Sequence, residues 1–295
     1  MSGLVLAHAV EGGSGLPETA VLVVLAAAAL TAYFAGTARL RPGAGRWEWR
    51  SWGWRRWAFA AGVLVVVGAL LPVIDPYVDD SFPLHMVQHM VLLFVAAPLL
   101  ALGAPGLPFL LALPRGWRRR VNAVRRAVPV RRVRAVAALP APGVLAYSAI
   151  VLVWHLPAVY DAALRSDAVH VTEHACFLAA GWLLWAPLAA PVRRLDGGRG
   201  VFYVFLSGFP MSLVGAVLTL APRPIYPQQT GTGTGALAAQ QLAGVLMWIP
   251  PAIASLGLCA VLILLWFRGM ERVAPGTAPL PSPMPPALPT AEVPR

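Results

Sequence analysis

The sequence predicts an all-α, polytopic membrane helix bundle with seven transmembrane spans, its N-terminus outside and its C-terminus cytoplasmic. Three observations carry that prediction. The 295 residues are 58% hydrophobic and only 12% charged, about half the charged share of an average soluble domain. Apolar runs of about 20 residues, the length that crosses a bilayer, recur along the chain. Finally, all 23 basic residues are Arg, and 21 of them fall in alternate loops, as the positive-inside rule requires. The net charge of +11 therefore reports membrane topology and not a nucleic-acid partner.

The chain divides into an external N-terminal segment (1–17), a seven-span domain (18–267) and a Pro-rich, disordered cytoplasmic tail (268–295). The opening MSGLVLAHAVEGGSG has no positive region, so it does not read as a cleaved signal peptide. Span one is placed at 18–38. The loop 39–56 holds six Arg and, with Trp57, five Trp, which reads as an interfacial belt at the cytoplasmic face. Span two, 57–72, ends at Pro72, and the acidic loop after it carries Asp75, Asp79 and Asp80.

Span three, 83–103, opens PLHMVQHM. Pro83 suits a first helical turn, where its missing N–H would be unpaired anyway, and Pro98 is expected to kink the span lower down. The following GAPGLPFLLALP is too short and broken to cross alone, and lies at the interface or dips into the bundle. Residues 115–134 hold nine Arg and no acid. Trp117, Val121, Val124 and Val128 recur there at helical spacing, the pattern of a basic amphipathic helix on an anionic leaflet, interrupted at Pro129.

Span four, 141–156, ends in Trp154-His155. In the short connector after it, Tyr160 and Leu164 are placed on one helical face turned toward the membrane. Span five, 168–187, opens HVTEH. Span six, 200–220, carries Gly208, Ser212 and Gly215 as a small-residue stripe for close packing. The loop 221–237 is rich in Pro, Gly and Thr, and span seven, 238–267, should bend at Pro250-Pro251. Cys176 and Cys259 form no CxxC pair and read as structural thiols.

This topology puts five of the six histidines at the outer ends of three successive spans. His85 and His89 open span three, His155 closes span four, and His170 and His174 open span five. A polar group in hydrocarbon is costly unless it has a purpose, and five imidazoles on one leaflet point to a shared metal site. Imidazole suits Zn, Cu, Fe and Ni, while thioethers favour Cu(I). Met86 and Met90 therefore tilt the expected cofactor to copper, with Cu(I) favoured. At about 100° per residue, however, the Met pair lies on a face adjacent to that of His85 and His89. Glu173 is expected to orient an imidazole from behind, and Asp75, Asp79 and Asp80 to gather cations at the mouth.

Several ordered motifs carry a resemblance. HMVQHM with APLLALGAP, WHLPAVYDAALRS, HVTEHACFLAAGWLLWAPL and AQQLAGVLMWIP resemble the multi-span CtaG family of cytochrome c oxidase assembly factors, over roughly residues 60–267. The resemblance implies a plasma-membrane protein that helps mature a haem–copper oxidase of the respiratory chain. Its partners would be oxidase subunits, and copper would reach them through a metallochaperone role. It also matches His85, His89, His155, His170 and His174 to the family's motif histidines. No CxxC or CxC faces outward, so thiol-based copper transfer is not supported. The sequence has no Ser–His–Asp spacing, no P-loop and no GxGxxG, which favours a non-enzymatic role. The alternatives are a bis-His membrane haem protein and a copper transporter.

Overall fold

The computed structural model describes residues 15–40, 46–71, 78, 80–137, 139–189, 195, 197–231 and 234–273, and these are helical or connecting, with no strand among them. Most of the external segment, Asp75, Asp79 and the tail beyond Val273 lie outside the described residues.

In chain order the helices are α1 (Gly15–Ala38), α2 (Arg46–Ala69) and α3 (Phe82–Val91). A π-helical turn, Leu92–Ala96, joins α3 to α4 (Ala97–Leu102), and α5 spans Gly106–Ala112. Then come α6 (Arg115–Arg126), α7 (Val128–Ala137), α8 (Pro140–Trp154), α9 (Pro157–Arg165) and α10 (Asp167–Ala189). The last three are α11 (Gly197–Leu220), α12 (Pro227–Thr230) and α13 (Thr234–Val273).

Four stretches are long and apolar enough to cross a membrane: Glu18–Ala38, Phe82–Leu102, Gly198–Leu220 and Gly235–Met270. The pair α8 and α9, bent by 72°, would make a fifth if it forms one broken span. The other two expected spans lie in α2 and α10, helices of 24 and 23 residues. Composition separates them from the rest: Arg46 to Arg56 fill the first half of α2, and Asp167, His170, Glu173 and His174 the first turns of α10. The Arg- and Trp-rich stretch read as a loop is thus largely helix from Arg46 onward. The basic segment 115–134 forms α6 and α7, separated at Ala127, with Pro129 in the first turn of the second helix. Helix α13 runs as one element through Pro250 and Pro251.

Arginine fixes the end of the bundle where the basic loops gather. Arg55 donates from Nη1 to the Leu102 carbonyl at 2.6 Å, and Arg39 to the carbonyls of Leu111 and Ala112 at 2.6 and 2.9 Å. These side chains supply partners to carbonyls that the ends of α4 and α5 leave open. Helix α5 folds back against α1, so close that a Cβ on Gly36 would meet the Pro108 carbonyl oxygen. Phe109 then packs edge-on to Tyr33 and Phe59, which stack at 4.0 Å.

The π turn has a local cause. The Ala97 N–H bonds back to the Leu92 carbonyl, one residue further than in an α-helix. The next donor in that register would be Pro98, which has no N–H. The Trp185 indole on α10 fills the gap, donating to the Leu93 carbonyl at 2.9 Å. At the other side of the bundle α11 and α13 meet through Gly215, Gly244 and Thr219, where a Cβ on Gly244 would lie 2.7 Å from the Gly215 carbonyl. Gly208 meets nothing within 4 Å, so the small-residue stripe extends further along the helix than the packing that uses it.

Candidate metal centre

The site lies at the end of the bundle opposite the arginine contacts and is built from the first turns of α3 and α10. Ser81 is extended and Pro83 occupies the first turn of α3, a start that fixes where His85 and His89 fall. Spaced four residues apart on one face, they are 1% and 0% exposed. On α10, His170, Glu173 and His174 share a face by the same three- and four-residue spacing.

The two helices bring these groups together. Ring centroids lie 4.5 Å apart for His85 and His89, 5.2 Å for His85 and His170, which stack, and 5.3 Å for His89 and His174. His170 and His174 are 4.4 Å apart. One donor atom each from His85, His89, His170 and Glu173 lie within 4.8 Å of one another, and His170 is the half-buried member. Bonds of about 2.0–2.2 Å place tetrahedral ligand atoms about 3.3 Å apart and opposed ones about 4 Å apart. The group therefore needs only a modest contraction to close on one ion.

The chemistry of the donors fits a cation. Neither ring nitrogen of His85 or His89, neither oxygen of Glu173 and not Nε2 of His174 has a hydrogen-bond partner. Buried polar atoms are normally paired, and leaving one unpaired costs about 1–3 kcal/mol. His89 Nε2 stands 3.9 Å from Glu173 Oε1, beyond hydrogen-bonding distance.

His155 stands apart from the four-donor group. Its Nδ1 donates to the Val151 carbonyl at 2.7 Å, which leaves Nε2 as the lone-pair nitrogen, buried and unpartnered. Its ring packs 6.0 Å from Phe177, which also lies 4.6 Å from His89. Met86 is fully buried in the main apolar core, and Met90 packs against that core. Asp80 lies in an exposed turn before α3. Both cysteines are half-buried and free.

The aromatic cover over the site was not visible in the sequence. Tyr160, placed toward the membrane by periodicity, is 1% exposed. The bend after α8 turns α9 inward, so Tyr160 lies 5.6 Å from His85, 5.9 Å from Phe82 and 4.5 Å from Tyr226. Tyr226 comes from the Pro/Gly/Thr loop and donates its hydroxyl to the His155 carbonyl at 2.6 Å. Tyr160 donates to Gln229 of the same region. Gln88 reaches from α3 to the Ala69 carbonyl at 2.7 Å, capping α2. The only signal in the sequence was the presence of Tyr226, Gln228 and Gln229 in a loop rich in Pro, Gly and Thr.

A family model described as cytochrome c oxidase caa3 assembly factor (Caa3_CtaG) matches residues 31–269. No curated protein and no solved structure matches the chain.

Proposed function

The chain belongs to the family of cytochrome c oxidase caa3 assembly factors, and from that premise we propose that it binds copper at the histidine cluster and assists its delivery to the oxidase. The observation that carries the reading is the group His85, His89, His170 and Glu173, whose donor atoms lie within 4.8 Å. His174 and His155 extend that group, His174 against His89 and His155 behind Phe177. Imidazole is a good copper ligand, and a half-buried His170 gives the ion a way in and out. Copper here is cargo, so the protein acts without catalysing a reaction.

In this reading the chain crosses the plasma membrane seven times, with its N-terminus outside and its C-terminus in the cytoplasm. Support comes from charge and position together. Arg39 and Arg55 cap helices at one end of the bundle, and the histidines gather at the other. Positive-inside topology then turns the histidine end outward, the face where a copper-handling protein would meet its ion.

Whole-cell oxidase spectra of a deletion strain, grown with and without added copper, test the proposal. Loss of haem–copper oxidase signal, relieved in part by copper, is the expected result. A normal oxidase in that strain would remove the assembly role. Stoichiometric copper in the purified protein, lost in His85→Ala, His89→Ala and His170→Ala, tests copper binding separately.

A further inference from the structure

We infer that Glu173 is itself a ligand at this site and that the ion it helps hold is Cu(II); the inference rests on the copper reading above and specifies it. The sequence alone gives Glu173 a supporting role behind an imidazole. The structure puts its carboxylate in the donor group, with an oxygen within 4.8 Å of donor nitrogens from His85, His89 and His170. Glu173 is 1% exposed, and neither of its oxygens has a hydrogen-bond partner. A carboxylate that merely oriented an imidazole would accept its ring N–H at about 2.7–2.9 Å. His89 Nε2 instead stands 3.9 Å away, a separation typical of two ligand atoms on one ion rather than of a hydrogen bond.

The donor set then selects the oxidation state. Cu(I) favours soft thioether and thiolate ligands, whereas nitrogen and oxygen donors in a tetragonal arrangement suit Cu(II). The thioethers nearest in sequence lie on a neighbouring face of α3, Met86 0% exposed within the apolar core and Met90 packed on that core. Three imidazoles and one carboxylate remain. Zn(II) also accepts such a set, but Cu(II) stands above it in the order of divalent affinities.

The test uses the full chain in nanodiscs, stripped of metal with a chelator. Cu(II) is titrated against a competing chelator, Cu(I) against bathocuproine disulfonate under anaerobic reductant, and Zn(II) in parallel. The wild type should take up one Cu(II), more tightly than Zn(II), with an electron paramagnetic resonance spectrum of three nitrogens and one oxygen. Glu173→Gln should lose at least about tenfold in Cu(II) affinity, the lower bound for disturbing a ligand's support, with an altered spectrum and nearly unchanged Cu(I) affinity.

Equal losses for both oxidation states would make Glu173 a positioning residue and overturn the inference. So would an unchanged Cu(II) spectrum in the variant, or a wild type that binds only Cu(I); each leaves the copper reading intact. A wild type that binds neither oxidation state overturns the inference and the copper reading together. Should Glu173→Gln not fold, the wild-type spectrum decides alone, because a four-nitrogen signature would exclude the carboxylate.

Discussion

Replacing His89 with leucine should stabilise the metal-free protein. His89 is fully buried, and both its ring nitrogens lack a hydrogen-bond partner. Its surroundings are the Phe177 ring at 4.6 Å and the imidazoles of His85 and His174 at 4.5 and 5.3 Å. An unpaired buried polar atom costs about 1–3 kcal/mol, so two of them place the relief at about 2–6 kcal/mol. Leucine is branched where the imidazole is flat, and a misfit of shape in a packed site takes back about 1–3 kcal/mol. Taken at the midpoints, the net expectation is a gain of about 2 kcal/mol, or several degrees in unfolding temperature for a chain of this size. The assay is thermal unfolding of purified protein in one detergent, with and without Cu(II). The wild type should be stabilised by copper through preferential binding to the folded state. His89→Leu should start higher and gain nothing from the ion. A metal-free His89→Leu protein less stable than wild type by more than about 1 kcal/mol would refute the reasoning, since its imidazole must then be well paired without metal.

Tyr226→Phe should cost about 1–2 kcal/mol by removing the donor to the His155 carbonyl, seen as a lower unfolding temperature. Gly244→Leu should separate α11 from α13, because its Cβ would meet Thr219 Oγ1 and lie 2.7 Å from the Gly215 carbonyl; reduced yield of folded protein in size-exclusion chromatography checks this. Copper affinity should fall at acid pH, because protons and metal compete for the same nitrogens. Competition titrations carried from about pH 7.5 down to about pH 4 measure that decline, and affinity unchanged across the whole range would argue against imidazole ligands.

The parts of the site legible in the sequence are those that a single helix encodes. Spacings of three and four residues put His85 with His89, and His170 with Glu173 and His174, on common faces, and the rings now lie 4.4–6.5 Å apart. Helical phase also put Met86 and Met90 on a neighbouring face, and they lie in or against the core. What one helix does not encode was missed. The inward turn of Tyr160 depends on the 72° bend between α8 and α9. Tyr226 and Gln229 reach the site only because their loop folds over it. The distance from Glu173 to the α3 nitrogens depends on how closely α3 and α10 approach, which neither helix encodes alone. The count of spans was legible only where apolar runs were unbroken, since α2 and α10 mix apolar turns with Arg or with site residues.

The π turn below His89 explains how one span serves both the site and the packing beneath it. In an unbroken α-helix, Ala101 would sit about 120° around the axis from His89, twelve residues at about 100° each. A π turn inserts one residue and takes back about 100°, leaving the two within about 20°. The face that carries His85 and His89 therefore continues downward through Ala97 and Ala101, both buried. A Cβ on Gly181 of α10 would meet the Ala97 Cβ at 2.8 Å and the Leu93 carbonyl at 3.2 Å. That close approach holds α10 against the span, so the spacing between His89 and Glu173 is set by backbone contact about two turns away. Trp185 secures the same arrangement by donating to the Leu93 carbonyl, where Pro98 has no N–H to offer. Proline, indole and glycine together fix the separation of the two helices from which the donor group is built.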